Sequence, residues 1–397
     1  MATKERIALT GNEAIAMAMK QINPDVCAAY PITPATEIMQ IFSTYVADGA
    51  VDTELVTVES EHSAMSATIG AAAAGARSMT ATSSQGLALM WEMLYIAAGL
   101  RLPIVMPMVN RALSAPINIH CDHSDSMGCR DSGWIQINSE NAQEAYDNLI
   151  IAMRVAEHLD IKLPAMVTYD GFIISHCMEA VDLLTNEEVQ SFIGPYVPSY
   201  ALLDIDHPIT VGAIDFHDYY FEHRRALAEP MLNHALRVID EVSAEFAQKF
   251  GRKYNLFEEY MMDDAEMAIV VLGSTAGTAK VIVNELRDKG VKAGLIKIRS
   301  YRPFPYKQLA EALSSVKAVA VMDRSDGLAG FGGPVFGEVR SALYDSEKRP
   351  ITVNYVYGLG GRDCTLDHIS TVYDDLQTIL KYGKVPTKLV NYLGVRE

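Results

Sequence analysis

The chain has 397 residues, 49% hydrophobic and 21% charged, which describes two or three ordinary folded domains without a sizeable disordered tail. A formal net charge of −17 argues against nucleic acid as a partner, since phosphate binding needs a basic surface. Five cysteines, odd in number and widely spaced, exclude a disulfide framework and a self-contained iron–sulfur ligand set. No apolar run approaches the ~20 residues that span a bilayer, so no membrane partner is expected, and a polar N-terminus without a secretory signal gives a cytoplasmic expectation.

In chain order, Asn12–Lys20 predicts a helix and Val26–Tyr30 a buried strand. Glu61–Gly75 predicts a small-residue helix, Ser78–Thr82 a strand, Ser84–Leu100 a helix and Pro103–Val109 a strand. Gln143–His158 is helical by pattern and Pro164–Asp170 is a further strand. Strands alternating with helices at this spacing predict a parallel sheet covered on both faces. Residues 185–235 carry proline and aromatic residues without clear period and predict a long ordered excursion. Met231–Phe250 and Glu258–Asp264 look helical. A second α/β unit begins at Met267, with strands at Ala268–Leu272, Lys292–Ile298, Ala318–Met322 and Ile351–Val356. The division falls between residues 245 and 265, giving domains over 1–250 and 260–397.

Tyr30-Pro-Ile-Thr-Pro-Ala-Thr-Glu37 is the most informative stretch. Pro31 and Pro34 force Ile32 and Thr33 into an extended loop, and Thr36 or Thr33 is positioned to cap a helix starting near Glu37. A loop between a buried strand and a helix is where open α/β folds bind ligands. Glu59 and Glu61 open the Ala/Gly/Ser-rich helix, where a carboxylate serves either as a cap or in acid–base work. Thr82-Ser-Ser-Gln-Gly86 offers hydroxyls and backbone N–H groups at a helix start, suited to capping or to a polar ligand. Arg111, in Asn110-Arg-Ala-Leu-Ser-Ala-Pro-Ile-Asn118, presents a planar fork for a carboxylate or makes a surface ion pair. Gly273-x-x-x-Gly277 lacks the endings of nucleotide and dinucleotide loops.

Together these motifs resemble the α subunit of 2-oxoacid:ferredoxin oxidoreductases. The resemblance runs through Asp122-His-Ser-Asp-Ser-Met127, Arg130–Gln136 and Glu140–Glu144, and in the second unit through Gly273–Ala279, Arg302-Pro-Phe-Pro305 and Asp323–Pro334. It implies a thiamine-diphosphate pyrimidine-binding domain followed by a transketolase C-terminal-like α/β domain. It implies that Glu61 hydrogen-bonds N1′ of the cofactor's pyrimidine, that Arg111 holds the 2-oxo acid carboxylate and that Thr33 contacts the carboxylate and keto region. Tyr30, Pro31, Ile32, Ser84 and Gln85 are the further cofactor-binding candidates. The implied reaction is oxidative decarboxylation of a 2-oxo acid, pyruvate first, with coenzyme A to acyl-CoA and carbon dioxide, electrons passing to ferredoxin or another acceptor.

The Gly-Asp-Gly of the family's Mg²⁺ site is missing; the near match Tyr169-Asp-Gly171 sits at a strand end. The resemblance therefore implies half an active site, completed by a β subunit carrying the Mg²⁺-diphosphate site. Gamma/delta-type subunits, including a ferredoxin-like chain, would carry [4Fe-4S] clusters. His120-Cys121 departs from the pyruvate-type pattern, which admits neutral drift or a pocket reshaped for phenylglyoxylate, oxalate or branched-chain substrates. A non-catalytic scaffold subunit and a transketolase-type or dehydrogenase E1-type subunit are the competing readings. The set Thr33, Glu61 and Arg111 speaks against the first, and the Arg-Ala-Leu-Ser-Ala-Pro segment against the second.

Overall fold

The computed structural model describes residues 5–386 and 388–396. The strands of the first unit are β1 (Glu5–Thr10), β2 (Val26–Ala29), β3 (Glu54–Thr57), β4 (Ser78–Met79), β5 (Val105–Asn110), β6 (Ile135–Asn138), β7 (Ala165–Asp170) and β8 (Met178–Leu183). Those after residue 250 are β9 (Phe257–Tyr260), β10 (Met267–Leu272), β11 (Ala293–Ile298), β12 (Ser300–Arg302), β13 (Ala318–Asp323), β14 (Ile351–Tyr357) and β15 (Val390–Leu393). Among the described residues they form a seven-stranded sheet in the order β12-β6-β7-β5-β4-β2-β3 and a six-stranded sheet in the order β15-β14-β13-β10-β11-β9. A separate antiparallel pair joins β1 and β8.

Each large sheet is parallel except at one edge, where β12 runs antiparallel to β6 and β9 antiparallel to β11. The alternation along the strands assigns the core. In β5 and β7, Val105, Val109, Ala165 and Val167 pack with Ile15, Met19 and Leu149 from helices Gly11–Ile22 and Ala142–Glu157. The intervening Met106, Met108 and Met166 pack with Met65, Ile69 and Leu94 from helices Glu61–Ala73 and Trp91–Gly99. Period-two side chains buried on both faces are what a covered parallel sheet requires.

Several local expectations change. The helix expected over Ser84–Leu100 is two, Ser84–Leu89 and Trp91–Gly99, meeting at Met90. Neither Thr33 nor Thr36 caps the next helix: it spans Thr36–Ala47 with Ala35 at the N-cap and no side-chain cap. Glu258–Asp264 is not helical; Phe257–Tyr260 is edge strand β9. There Glu258 stands opposite Lys297 of β11, with Nζ 2.9 Å from its carboxylate, so a cross-strand charge pair overrides local helical pattern. The excursion over 185–235 contains two helices, Asn186–Ile193, closed by a Thr185/Glu188 capping box, and Tyr220–Asn233.

Candidate active site

The loop after β2 is pinned from below. Asn12 Nδ2 donates to the Pro34 carbonyl at 2.9 Å and to Glu37 at 3.2 Å, and Tyr169 Oη holds the Asn12 amide oxygen at 2.8 Å. Ile32 packs against the core, whereas Pro31 and Thr33 are exposed and Tyr30 is half-buried. Thr33 therefore presents its side chain outward from a fixed backbone.

Glu61 begins the helix Glu61–Ala73, behind Ser60, whose hydroxyl caps the helix by accepting from Ser63 N–H. It is buried, yet among the described residues none hydrogen-bonds or ion-pairs with its carboxylate. Gly86 makes the approach possible: a β-carbon there would lie 2.7 Å from Glu61 Cγ and 2.8 Å from Oε1, and would overlap Thr82 Oγ1. Thr82 Oγ1 is itself buried without a partner. A buried carboxylate and a buried hydroxyl left without partners carry a desolvation cost unless a ligand supplies hydrogen bonds. Glu59, the alternative carboxylate, accepts instead from the Ser63 hydroxyl at 2.5 Å on the surface.

Arg111 opens the segment leaving β5. Its Nε donates to the Asn118 carbonyl at 3.0 Å and its Nη1 to the Thr33 carbonyl at 2.9 Å. No carboxylate among the described residues pairs with it, and burial lowers its pKa from the ordinary arginine value, with Asp125 acting in opposition. A guanidinium oriented by two carbonyls but not neutralised is a ready anion site. Asp125 sets the backbone around it, accepting from Arg111 N–H at 2.8 Å, Ser84 N–H at 3.1 Å and Asn110 Nδ2 at 2.8 Å. Burial pushes the Asp125 carboxyl up to about 7 against these donors. The Ser84 hydroxyl lies 2.7 Å from both the Ala112 carbonyl and the Gln85 amide oxygen, so these two residues tie the Thr82–Gly86 turn to the Arg111 segment. A cleft of about 1070 Å³ runs from Ala112–Asn118 to the glycine-rich loop Gly327–Gly333 of the second unit.

Asp170, of the near-match Tyr-Asp-Gly, ends β7 and accepts from His123 Nε2 at 2.7 Å, Arg324 Nη1 at 2.9 Å, Ser274 N–H at 3.1 Å and the Ser274 hydroxyl. Burial would raise its pKa, but His123 and Arg324 outweigh burial and hold it well below the usual carboxylate range. Cys121, His123 and Asp170 stand close enough together to hold an ion. A thiol raised by burial and a carboxylate already sharing its oxygens with a guanidinium make instead a structural ion-pair cluster.

The fold thus gathers Thr33 and Arg111 through a direct hydrogen bond and sets Glu61 against Gly86 of the Thr82–Gly86 turn. Sequence reasoning missed Gly86, Asn118 and Asp125 as positioning residues. A glycine inside an expected helix was the available signal for the first, since it marks close approach; Asp125 lay within the resembling segment, but its hold on Ser84, Asn110 and Arg111 together is visible only in three dimensions.

Of the two α/β units, the first presents an unpartnered carboxylate beside a helix start and an arginine without a carboxylate partner at a strand's end, an arrangement open to a polar or anionic ligand. The family described as pyruvate flavodoxin/ferredoxin oxidoreductase, thiamine diphosphate-binding, matches residues 17–243, and pyruvate:ferredoxin oxidoreductase core domain II matches 265–369. The chain is 55% identical to pyruvate synthase subunit PorA of Thermotoga maritima over 99% of each, and 46% identical to PorA of Pyrococcus furiosus over 98% of each. It is 44% identical to ketoisovalerate oxidoreductase subunit VorA of Pyrococcus abyssi, over 97% of this chain and 96% of that one. The chain belongs to the pyruvate:ferredoxin oxidoreductase family.

Among solved structures it resembles a 2-oxoglutarate:ferredoxin oxidoreductase from Magnetococcus marinus, with TM-score 0.73 and 21% identity over 94% of this chain and 66% of that one. It also resembles a split-gene transketolase, with TM-score 0.56 and 12% identity over 93% and 98%. At these identities the likeness is one of fold, and it supports the pairing of a thiamine-type domain with a transketolase-like one. No helix of the described residues is long and apolar enough to cross a membrane.

Proposed function

We propose that the chain is the α-type subunit of a heteromeric 2-oxoacid:ferredoxin oxidoreductase. The reaction takes a 2-oxo acid, pyruvate first, and coenzyme A to acyl-CoA, carbon dioxide, one proton and two electrons, the electrons passing to ferredoxin. The observation that carries this reading is a buried carboxylate without a partner, Glu61, set against Gly86 of the Thr82–Gly86 turn, and a guanidinium without a carboxylate partner, Arg111, whose backbone Asp125 ties to Ser84 of that same turn. Relatives named for pyruvate and for ketoisovalerate keep a branched-chain 2-oxo acid as the second substrate reading.

The residues fit thiamine diphosphate: Glu61 and Thr82 offer an acceptor and a hydroxyl in a buried cradle that Gly86 keeps open. Bound there, the cofactor supplies a carbon nucleophile and an electron sink. Glu61 holds a proton at a pyrimidine ring nitrogen. Arg111 binds and orients the substrate carboxylate with the guanidinium edge not used by Asn118 and Thr33, while Thr33 contacts the carboxylate and keto region. Tyr30, Pro31 and Ile32 line the approach, and Ser84 and Gln85 hold the turn. The diphosphate and its Mg²⁺ would lie on a β subunit, and [4Fe-4S] clusters on gamma/delta-type chains. The test is co-expression with the partner chains, followed by viologen or ferredoxin reduction dependent on both 2-oxo acid and coenzyme A. A complex that reduces acceptor without needing a 2-oxo acid overturns the proposal.

A further inference from the structure

Relatives named for pyruvate match this chain at 55% and 46% identity and one named for ketoisovalerate at 44%, so a match near 45% is shared by both names and does not by itself separate a methyl from an isopropyl side chain. The difference must lie in what surrounds the substrate beyond the shared carboxylate clamp. Four segments converge at Arg111. Thr33 and Asn118 receive its guanidinium, Ala112 N–H donates to the His120 carbonyl at 2.9 Å, and Gly171 N–H donates to the Asn110 carbonyl at 3.1 Å. Gly171 is wedged under Pro34, where a β-carbon would sit 2.9 Å from Pro34 Cγ. His120 and Phe172 therefore leave the backbone on two sides of the Arg111 segment.

Their rings meet, with centroids 5.2 Å apart, and Phe172 continues onto His176 at 4.7 Å. Phe172 occupies the left-handed region at φ 62, unusual for an aromatic residue and maintained only where surroundings demand it. His120 is exposed yet fixed. Its N–H and Nδ1 lie 2.8 and 3.0 Å from Asn118 Oδ1, and Asn118 Nδ2 donates to the Gly360 carbonyl of the second unit at 2.9 Å. Gly361, at φ +81, lies so close beneath that any β-carbon would overlap His120 Cβ. An exposed ring held by a second domain against another ring, beside an anion clamp, is a built surface rather than a solvated side chain.

We infer that the His120–Phe172 stack, seated on the second unit's Gly358–Gly361 loop, is the wall that meets the 2-oxo acid side chain and limits its size. The inference rests on the proposed role of Arg111 as carboxylate clamp. Two rings in contact, tilted 40° to one another and held from behind, present an apolar face that a branched side chain would press against sooner than a methyl. His120→Ala removes one ring and opens the wall.

The test uses the assembled complex with its partner subunits and compares kcat/KM for pyruvate, 2-oxobutyrate and 2-oxoisovalerate. One or two methylene groups in an apolar pocket are worth roughly 10- to 200-fold. His120→Ala and Phe172→Ala are each expected to raise the 2-oxoisovalerate to pyruvate ratio about tenfold or more, with CoA dependence retained. Equal losses on all three substrates in both variants, leaving the ratio unchanged, overturn the wall while leaving the proposed function standing. A wild-type complex that turns over no 2-oxo acid overturns the function, and the wall with it. If His120→Ala does not assemble, Phe172→Ala alone decides by the same ratio; if neither does, the milder Phe172→Leu decides.

Discussion

Arg324 of the second unit reaches Asp170 at the end of β7, Nη1 to Oδ2 at 2.9 Å, both side chains almost wholly buried. His123 completes the cluster, its ring on Asp170 and its N–H on the Arg324 carbonyl at 2.8 Å. Because His123 lies two residues before Asp125, the hub of the Arg111 segment, the second unit fixes that segment as well as covering it.

Arg324→Met should remove one partner of a buried charge pair, a change that costs about 3–5 kcal/mol. The sign with pH follows from Asp170. Its folded pKa is depressed, so its contribution is present above the unfolded carboxyl value, near 3.9, and is lost as pH falls below that value toward the folded one. The variant should unfold in acid at higher pH than the parent, as followed by circular dichroism; coincident acid transitions would count against the pair.

Glu61→Gln should leave the assembled complex intact and abolish turnover, beyond the ~10²–10⁴-fold typical of an acid–base group. The amide retains the size of the side chain and loses the charge that holds a ring proton. Near-normal rates with substrate and an artificial acceptor would move the role elsewhere, with Glu59 the first place to look.

Arg111→Ala should weaken 2-oxo acid binding far more than cofactor binding. Truncating one partner of a desolvated charge contact costs roughly 2–5 kcal/mol, about 30- to several-thousand-fold in kcat/KM. Arg111→Lys should recover only part of this, since a point charge lacks the planar fork that Asn118 and Thr33 orient. Steady-state kinetics within about twofold of wild type would place the clamp on another residue.

Gly86→Ala should damage the Glu61 cradle without touching substrate. The added methyl would fall 2.8 Å from Glu61 Oε1, and either the short helix Ser84–Leu89 or the glutamate must move. Thiamine diphosphate affinity of the complex, read by calorimetry, should fall while the 2-oxo acid KM at saturating cofactor changes little. Unchanged affinity would mean that the cradle is not used.

The isolated chain should bind Mg²⁺-thiamine diphosphate weakly, because the residues that face the diphosphate are expected on another subunit. Its helix Glu61–Ala73 leaves Gly70 exposed with nothing within 4 Å of a β-carbon, a small-residue face open to a neighbour. Tight stoichiometric binding in calorimetry by the lone chain would overturn the half-site reading.

The alternation of helices and apolar strands was legible because long buried strands such as β5, β7 and β10 are near-continuous hydrophobic runs. The motifs around Glu61, Thr33 and Arg111 marked them as candidates, and the structure joins Thr33 to Arg111 and buries Glu61. Edge strands were not legible: β9 carries two glutamates in four residues, and its strand character comes from Lys297 on the neighbouring β11. Nor was the break at Met90, where nothing in Ser84–Leu100 marks a stop. The His120–Phe172 stack joins residues 52 positions apart in number and required the backbone pairing of Gly171 with Asn110 to be seen.

Strand β12 lies in the second half of the sequence but adds to the edge of the first sheet beside β6. A chain cut between the helix that ends at Phe250 and β9 would strip the N-terminal fragment of that border and leave unpaired the backbone groups of β6 that face away from β7, an adhesive edge in water. Fission of the coding sequence at the apparent domain boundary is therefore not neutral for this protein. The two halves would have to be made together and re-associate, with three residues, Ser300–Arg302, acting as the selvedge that keeps the first sheet from fraying.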